Sequence, residues 1–322
     1  MKKRRALKYT VLLLAVFVVL MVFATLFDLD ISKKLAVIEP GEYFSSDGFS
    51  RFFEIFGEIP LYLFLSYALS VIFWNAVYFA KPVVKYPVCI VAGLLVAAVC
   101  YVVPVRIHHY FLELNETVLD GKNQGFVFDL LITVTLGALS IAGVMFTGKK
   151  NIKKQLSIAV IILFVAAASQ LFTQGLKLIN KRVRYRAMNA LGDFSYFTPW
   201  YSINGFPESF KGIVDALGTG DAVKSFPSGH TTSAGITFTL IAVPYVVRKL
   251  NDKIGKIIFY TISIAYTAVV AYARVRMGAH YCTDVLMGGG IAFLMSALSV
   301  WLFYRKRILK RLYNYCELNE EE

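Results

Sequence analysis

Residues 224–247 read KSFPSGHTTSAGITFTLIAVPYVV, polar at the start and apolar to the end. The apolar part, over 231–247, reads as a membrane-crossing helix, so Pro227, Ser228, Gly229 and His230 stand at its mouth. A helix that begins there presents backbone N–H groups with no intrahelical acceptor, and such groups bind anions. Gly229 lets a ligand approach the backbone, Pro227 stiffens the entrance, and Ser228 can both cap the helix and donate to an oxyanion. The plain alternative is a serine cap beside an incidental histidine, one of only four in the chain.

The rest of the chain supports the membrane reading. Of 322 residues, 57% are hydrophobic and 17% charged, with a mean hydropathy of +0.60, outside the range of soluble domains. Windows of about 19 residues place spans near 9–27, 59–80, 87–105, 126–147, 156–178, 231–247, 257–275 and 283–304. The expected fold is all-α: a polytopic transmembrane bundle of about eight spans forming one membrane domain. Its N-terminal part, 1–150, holds spans and an interfacial segment, and a catalytic core occupies 151–322. The first apolar run lacks a small-residue cleavage site and reads as a retained anchor. The four cysteines show no disulfide or zinc spacing.

The net charge of +13 raises the question of nucleic acid, but its distribution answers otherwise. With the N-terminus in the cytoplasm, the inner segments MKKRRALK, KPVVKY, GKKNIKK, RKLNDKIGK and the C-terminal tail hold 20 of the 34 Lys and Arg residues. That excess orients the chain by the positive-inside rule, with both termini inside. The outer side then carries 28–58, 106–125 and the long 179–230 connection. FSRFFEIFGEI, within 28–58, has the pattern of a helix lying along the interface. In the connection, Tyr196, Trp200 and Tyr201 suit headgroup depth and a lid or recognition role. His108 and His109 read as solvated surface, and Asn115-Glu116-Thr117 has the form of a glycosylation sequon.

Polar residues expensive for a membrane protein gather in three places on that outer side. In LKLINKRVRYR, Lys177 and Arg184 are seven apart, close to two helical turns, so both can project from one face; a snorkelling basic helix end is the bland reading. The second place is Ser228-Gly229-His230. The third, AYARVRMGAHYCTDVLMGG, holds Arg274, His280 and Asp284. A span starting near His280 puts Asp284 one turn on, beneath the imidazole, where a carboxylate fixes the tautomer and leaves the other nitrogen as nucleophile or base. A structural His–Asp pair is the alternative.

Lys-x6-Arg, then Pro-Ser-Gly-His, then Arg-x5-His-x3-Asp, each at the outer end of a span, resembles the three-part signature of the type 2 phosphatidic acid phosphatase and vanadium haloperoxidase superfamily, in its membrane lipid phosphatase branch. The resemblance covers about 177 to 300. Tyr185 stands where that family commonly has proline, and Ala273 where it commonly has serine. The usual six-helix core leaves two additional spans here.

The resemblance implies a metal-independent hydrolase with no cofactor, acting on a lipid phosphate or diphosphate. His280 is the implied nucleophile, Asp284 its partner and His230 the acid and base. Lys177, Arg184, Ser228, Gly229 and Arg274 are implied to bind the phosphate. The implied setting is the outer face of a bacterial inner membrane, with membrane lipids as the partners and no nucleic acid or obligatory protein partner. Phosphatidic acid, phosphatidylglycerol phosphate, an undecaprenyl-type diphosphate carrier and a lipid A phosphate all present the same group. Transfer of the phosphate to a lipid or sugar acceptor shares the site. A transporter lined by Asp129, Gln170 and Gln174 is the rival of another class, and a vanadate-dependent peroxidase ranks last.

Overall fold

A computed structural model describes residues 2–115, 125–205, 208–247, 250 and 252–305. Glu116 and Thr117 of the sequon, Cys316 and most of the basic tail lie outside the described residues. All described secondary structure is helical, and seven helices are long and apolar enough to cross a membrane. The protein is an all-α, polytopic bundle, as its composition predicts.

The long helices are α1 (Lys2–Leu35), α3 (Ile59–Phe79), α4 (Pro82–Asn115), α5 (Phe126–Met145), α6 (Lys149–Asn180), α11 (Lys253–Arg276) and α12 (Cys282–Val300). Short helices α2 (Gly48–Phe56), α7 (Tyr185–Leu191) and α8 (Glu208–Leu217) fill the connections. The stretch expected to cross at 231–247 departs from a regular helix. It is α9 (Gly229–Ala234), a 3-10 segment (Gly235–Ala242) and α10 (Val243–Val246). Hydroxyls explain the tightening: Thr237 and Thr239 donate to the carbonyls of Ala234 and Ile236, three residues back, and Ser263 donates to Thr237 O at 2.7 Å. Side chains that take backbone carbonyls in this way compete with the α-helical ladder, and Pro244 removes a further donor.

The chain divides into two compact units. One comprises 55–169, 233–266 and 292–322. In it α3, α4 and α5 pack together, and hydroxyl pairs join them where lipid offers no hydrophobic drive. Ser70 Oγ meets Ser140 Oγ at 2.9 Å, and Trp74 Nε1 donates to Ile141 O at 2.8 Å. His108 is not merely solvated, since its Nδ1 lies 3.7 Å from the buried carboxylate of Asp129.

The other unit comprises 1–54, 170–232 and 267–291, and it holds every candidate site residue. Its apolar layer is Val183, Tyr185, Met188, Phe210, Ile213 and Tyr281, contributed by the long connection and the start of the last helical region. The aromatic residues of that connection are anchored rather than loose. Trp200 Nε1 donates to Thr25 Oγ1 at 2.9 Å, and Tyr196 packs on the apolar layer, whereas Tyr201 is exposed.

Candidate active site

The Lys177–Arg184 spacing is not read along one helix face. α6 stops at Asn180, because Lys181 turns to a positive φ of 49°. The freed Asn180 carbonyl accepts from Asn204 N at 3.2 Å and Asn204 Nδ2 at 2.9 Å. Residues 181–184 then run outside any helix, and Arg184 directly precedes α7 with extended backbone. The helix breaker that Tyr185 fails to supply is therefore provided four residues earlier, and Tyr185 packs into the apolar layer instead.

This break turns two arginines toward different partners. Arg182, with no exposed side-chain surface, donates to Asp284 Oδ1 at 2.7 Å, Asp28 Oδ2 at 2.9 Å and Thr283 Oγ1 at 3.0 Å. Its guanidinium stacks on Tyr281, 3.9 Å from the ring centroid. Arg184 donates to Ala279 O at 2.7 Å and reaches His280 Nε2 at 3.2 Å. It also binds Asp221, with Nε on the carbonyl and Nη2 on Oδ1, each at 2.8 Å. Lys177 Nζ donates to Lys224 O at 3.0 Å, and its end lies beside Gly229, about 4.0 Å from where a Cβ would stand.

His280 is set by the way α11 ends. Gly278 N donates to Val275 O and Ala279 N to Arg274 O, with Gly278 at φ +66°, which is a Schellman cap. A side chain there would meet Tyr185 and Ile38 at about 3.0 Å, so glycine is required for both conformation and space. Two residues later α12 is capped in reverse. Asp284, at its third position, accepts from Tyr281 N at 2.9 Å, the acid half of a capping box. α12 thus begins at Cys282, two residues past the expected start.

The imidazole tautomer follows from its neighbours. His280 Nδ1 lies 2.6 Å from the carbonyl of Ser225, which can only accept, so Nδ1 carries the proton. Nε2 keeps its lone pair and faces Arg184. The expected Asp284–imidazole hydrogen bond is not made: Asp284 Oδ2 stands 3.7 Å from Nδ1 and accepts instead from Ser225 Oγ. The carboxylate is still close enough to interact with a ring that becomes cationic. Burial, with the charges of Arg184, Lys177 and Arg274, holds His280 well below the usual imidazole range, and Asp221 opposes that shift. Asp221 itself is pushed up by burial but held far below the carboxylate range by Arg184, Arg186 and Lys177.

At the mouth of α9, Ser228 caps the helix as expected. Its Oγ accepts from Thr231 N at 3.4 Å and Thr231 Oγ1 at 3.0 Å, and its own N–H donates to Asp284 O at 3.0 Å. The approach is tight, since a Cβ on Gly288 would sit 2.5 Å from Ser228 O. His230 Nε2 donates to the main-chain carbonyl of Glu54 at 3.1 Å. Arg274, next to the fully buried Ala273, donates to Glu54 Oε1 at 3.0 Å, and its carbonyl accepts from His280 N.

All eight residues expected from the sequence thus lie in one unit, and four of them, His230, Arg274, His280 and Arg184, are linked by a chain of bonds that runs through Glu54. The sequence reading missed Asp28, Glu54, Arg182, Arg186, Asp221 and Ser225. Arg182 and Arg186 stand in the quoted basic run, and Asp28 ends an apolar one, so charge next to hydrophobic sequence was the available signal. Among the described residues no three His, Cys, Asp or Glu side chains gather as a metal site. Buried N–H groups of Arg186 (Nε, Nη1) and Arg274 (Nε) make no hydrogen bond within the described residues, and buried donors are normally satisfied by some acceptor.

Residues 158–308 match the family model described as the PAP2 superfamily, a stretch that contains all three motif clusters. No curated protein and no solved structure matches the chain.

Proposed function

Over residues 158–308 the chain belongs to the PAP2 superfamily, which supports a phosphatase-type function, and from that premise we propose an integral-membrane lipid phosphatase working through a phosphohistidine. The observation that carries the proposal is the state of His280. Its Nδ1 proton is committed to Ser225 O, and its Nε2 lone pair lies among cations that attract a phosphate.

A phosphate at Nε2 takes the place of the Arg184 contact there and meets Arg184, Arg274 and Lys177, with Ser228 and the Gly229 N–H at the helix mouth. The Nε2 lone pair forms a bond to phosphorus as the bond to the leaving oxygen breaks, and His230 gives that oxygen a proton. The imidazolium-like ring so formed faces the Asp284 carboxylate at Nδ1. His230 next takes a proton from water, the hydroxide attacks phosphorus, and the P–N bond breaks to release phosphate and neutral His280.

The substrate is a lipid phosphate or diphosphate, and the site works on the outer leaflet of the membrane, with both termini cytoplasmic by the positive-inside bias. Released phosphate, measured in detergent over a panel of lipid monophosphates and diphosphates with and without acceptor lipids, tests this reading. Wild type is expected to release phosphate without an acceptor, and folded His280→Ala and His230→Ala to lose at least about a thousandfold. Release only when an acceptor is present would make the protein a phosphotransferase, and full activity of His280→Ala would remove the mechanism.

A further inference from the structure

The interfacial segment expected at FSRFFEIFGEI does more than lie along a surface. α2 is capped by Asp47, whose Oδ2 accepts from Ser50 N at 3.0 Å and Ser50 Oγ at 2.7 Å. The same carboxylate grips Arg276, in the last turn of α11, at 2.8 and 3.1 Å. The helix is therefore fixed to the element that carries Arg274. Its outward residues Phe49 and Phe52 are 43% and 53% exposed, so its opposite face is the one turned inward. Glu54 lies on that inward face, two turns after the cap, and is 2% exposed.

Glu54 is surrounded by three guanidinium groups. Oε2 accepts from Arg51 Nη1, Oε1 accepts from Arg274 Nη1 at 3.0 Å, and Arg186 Nη1 stands 3.6 Å from Oε1. Arg186 in turn donates to Asp221 Oδ2 at 3.0 Å, whose Oδ1 holds Arg184. Arg184, Asp221, Arg186, Glu54 and Arg274 form a chain of alternating charge that ends at both proposed phosphate-binding arginines. The main-chain carbonyl of Glu54 meanwhile accepts from His230. Without this carboxylate, Arg51, Arg186 and Arg274 would repel one another in a buried setting, where like charges are costly.

We propose that Glu54 is a positioning residue for the phosphatase site: its carboxylate holds Arg274, and through Arg186 the opposite arginine, in phosphate-binding geometry, while its carbonyl sets the ring of His230. The assignment rests on the phosphatase reading, so its test includes oxyanion binding, which needs no turnover. A merely structural acid would set only how much protein folds, whereas a positioning acid sets how each folded molecule binds and reacts. An acid that blocks the site would do the opposite, competing with the substrate for Arg274.

The experiment compares wild type, Glu54→Gln and Glu54→Asp, each purified as the monodisperse full chain in detergent. It measures orthovanadate affinity, and kcat and KM for a short-chain lipid phosphate per folded molecule. Glu54→Gln is expected to lower kcat/KM by about tenfold to a hundredfold, the scale of a roughly 1 Å misplacement, and to weaken vanadate binding by a similar factor. Glu54→Asp, which keeps the charge but retracts it by one methylene, is expected to fall between the two and is the deciding variant if Glu54→Gln does not fold. Unchanged constants per folded molecule, or tighter vanadate and a lower KM, overturn the proposal. A wild type that releases no phosphate but binds vanadate in a Glu54-dependent way leaves the positioning role standing and removes the phosphatase reading. A wild type that neither turns over nor binds vanadate removes both.

Discussion

Arg182 carries its charge with no exposed side-chain surface, between the carboxylates of Asp28 and Asp284. Removing one member of a buried ion cluster strands the others, at a cost of about 3–5 kcal/mol. Arg182→Met is therefore expected to lower the thermal midpoint in detergent strongly, and Asp28→Asn in the same chain to recover part of the loss. No recovery would mean that Arg182 acts by packing on Tyr281 alone. His280 makes a second prediction at this scale. Because burial and nearby cations disfavour its protonated form, its titration midpoint is expected well below the ordinary imidazole value of about 6.5. Lys177→Met removes a repelling cation and should raise the midpoint, while Asp221→Asn removes an attracting anion and should lower it. 15N-histidine NMR titration against His280→Ala reads both. Lys177, Arg184, Arg274 and His280 were legible in the sequence because each is expensive beside apolar residues. The partner of Nδ1 was not, since a main-chain carbonyl such as that of Ser225 leaves no mark in residue types. Glu54 was concealed for a related reason: in an amphipathic stretch, an acid on the inward face cannot be told from one facing water.

Helix ends set the geometry that the residues use. α11 closes with a Schellman cap at Gly278 and α12 opens with a capping box from Asp284, so the short 277–281 link is held from both sides with His280 inside it. Gly278→Ala would force a Cβ into the left-handed region, at about 1–2 kcal/mol, and against Tyr185. A lower thermal midpoint together with reduced kcat is expected; wild-type activity at a wild-type midpoint would show that the cap does not place His280. The spans of α6, α11 and α12 were readable from hydropathy. The irregular stretch from Gly229 to Val246 was not, because composition reports apolarity and not which carbonyls the threonines take. Its length still suits a crossing: ten α-helical residues at about 1.5 Å and eight 3-10 residues at about 2.0 Å give roughly 31 Å, close to the hydrocarbon thickness.

On the scale of the molecule, every motif cluster belongs to a helix end. Lys177 and Arg274 stand in the final turns of α6 and α11, while Gly229 and Asp284 stand in the first turns of α9 and α12. Bundle class and the collection of the motifs into one unit were thus readable from hydropathy and charge, whereas the contribution of α1 and α2 to the site was not, because contacts as distant as Asp28 with Thr283 and Glu54 with Arg274 leave no local pattern. In proteoliposomes sorted by the position of a terminal tag, a membrane-impermeant short-chain lipid phosphate supplied outside is expected to be hydrolysed only by molecules whose termini face the lumen. Hydrolysis by the opposite orientation would reverse the assigned sidedness. The most direct measurement for the account is quenched labelling with a 32P-lipid phosphate. An acid-labile, alkali-stable phosphoenzyme should appear in wild type, form and decay more slowly in His230→Ala and be absent from His280→Ala; equal labelling of folded His280→Ala would contradict the assignment of the nucleophile.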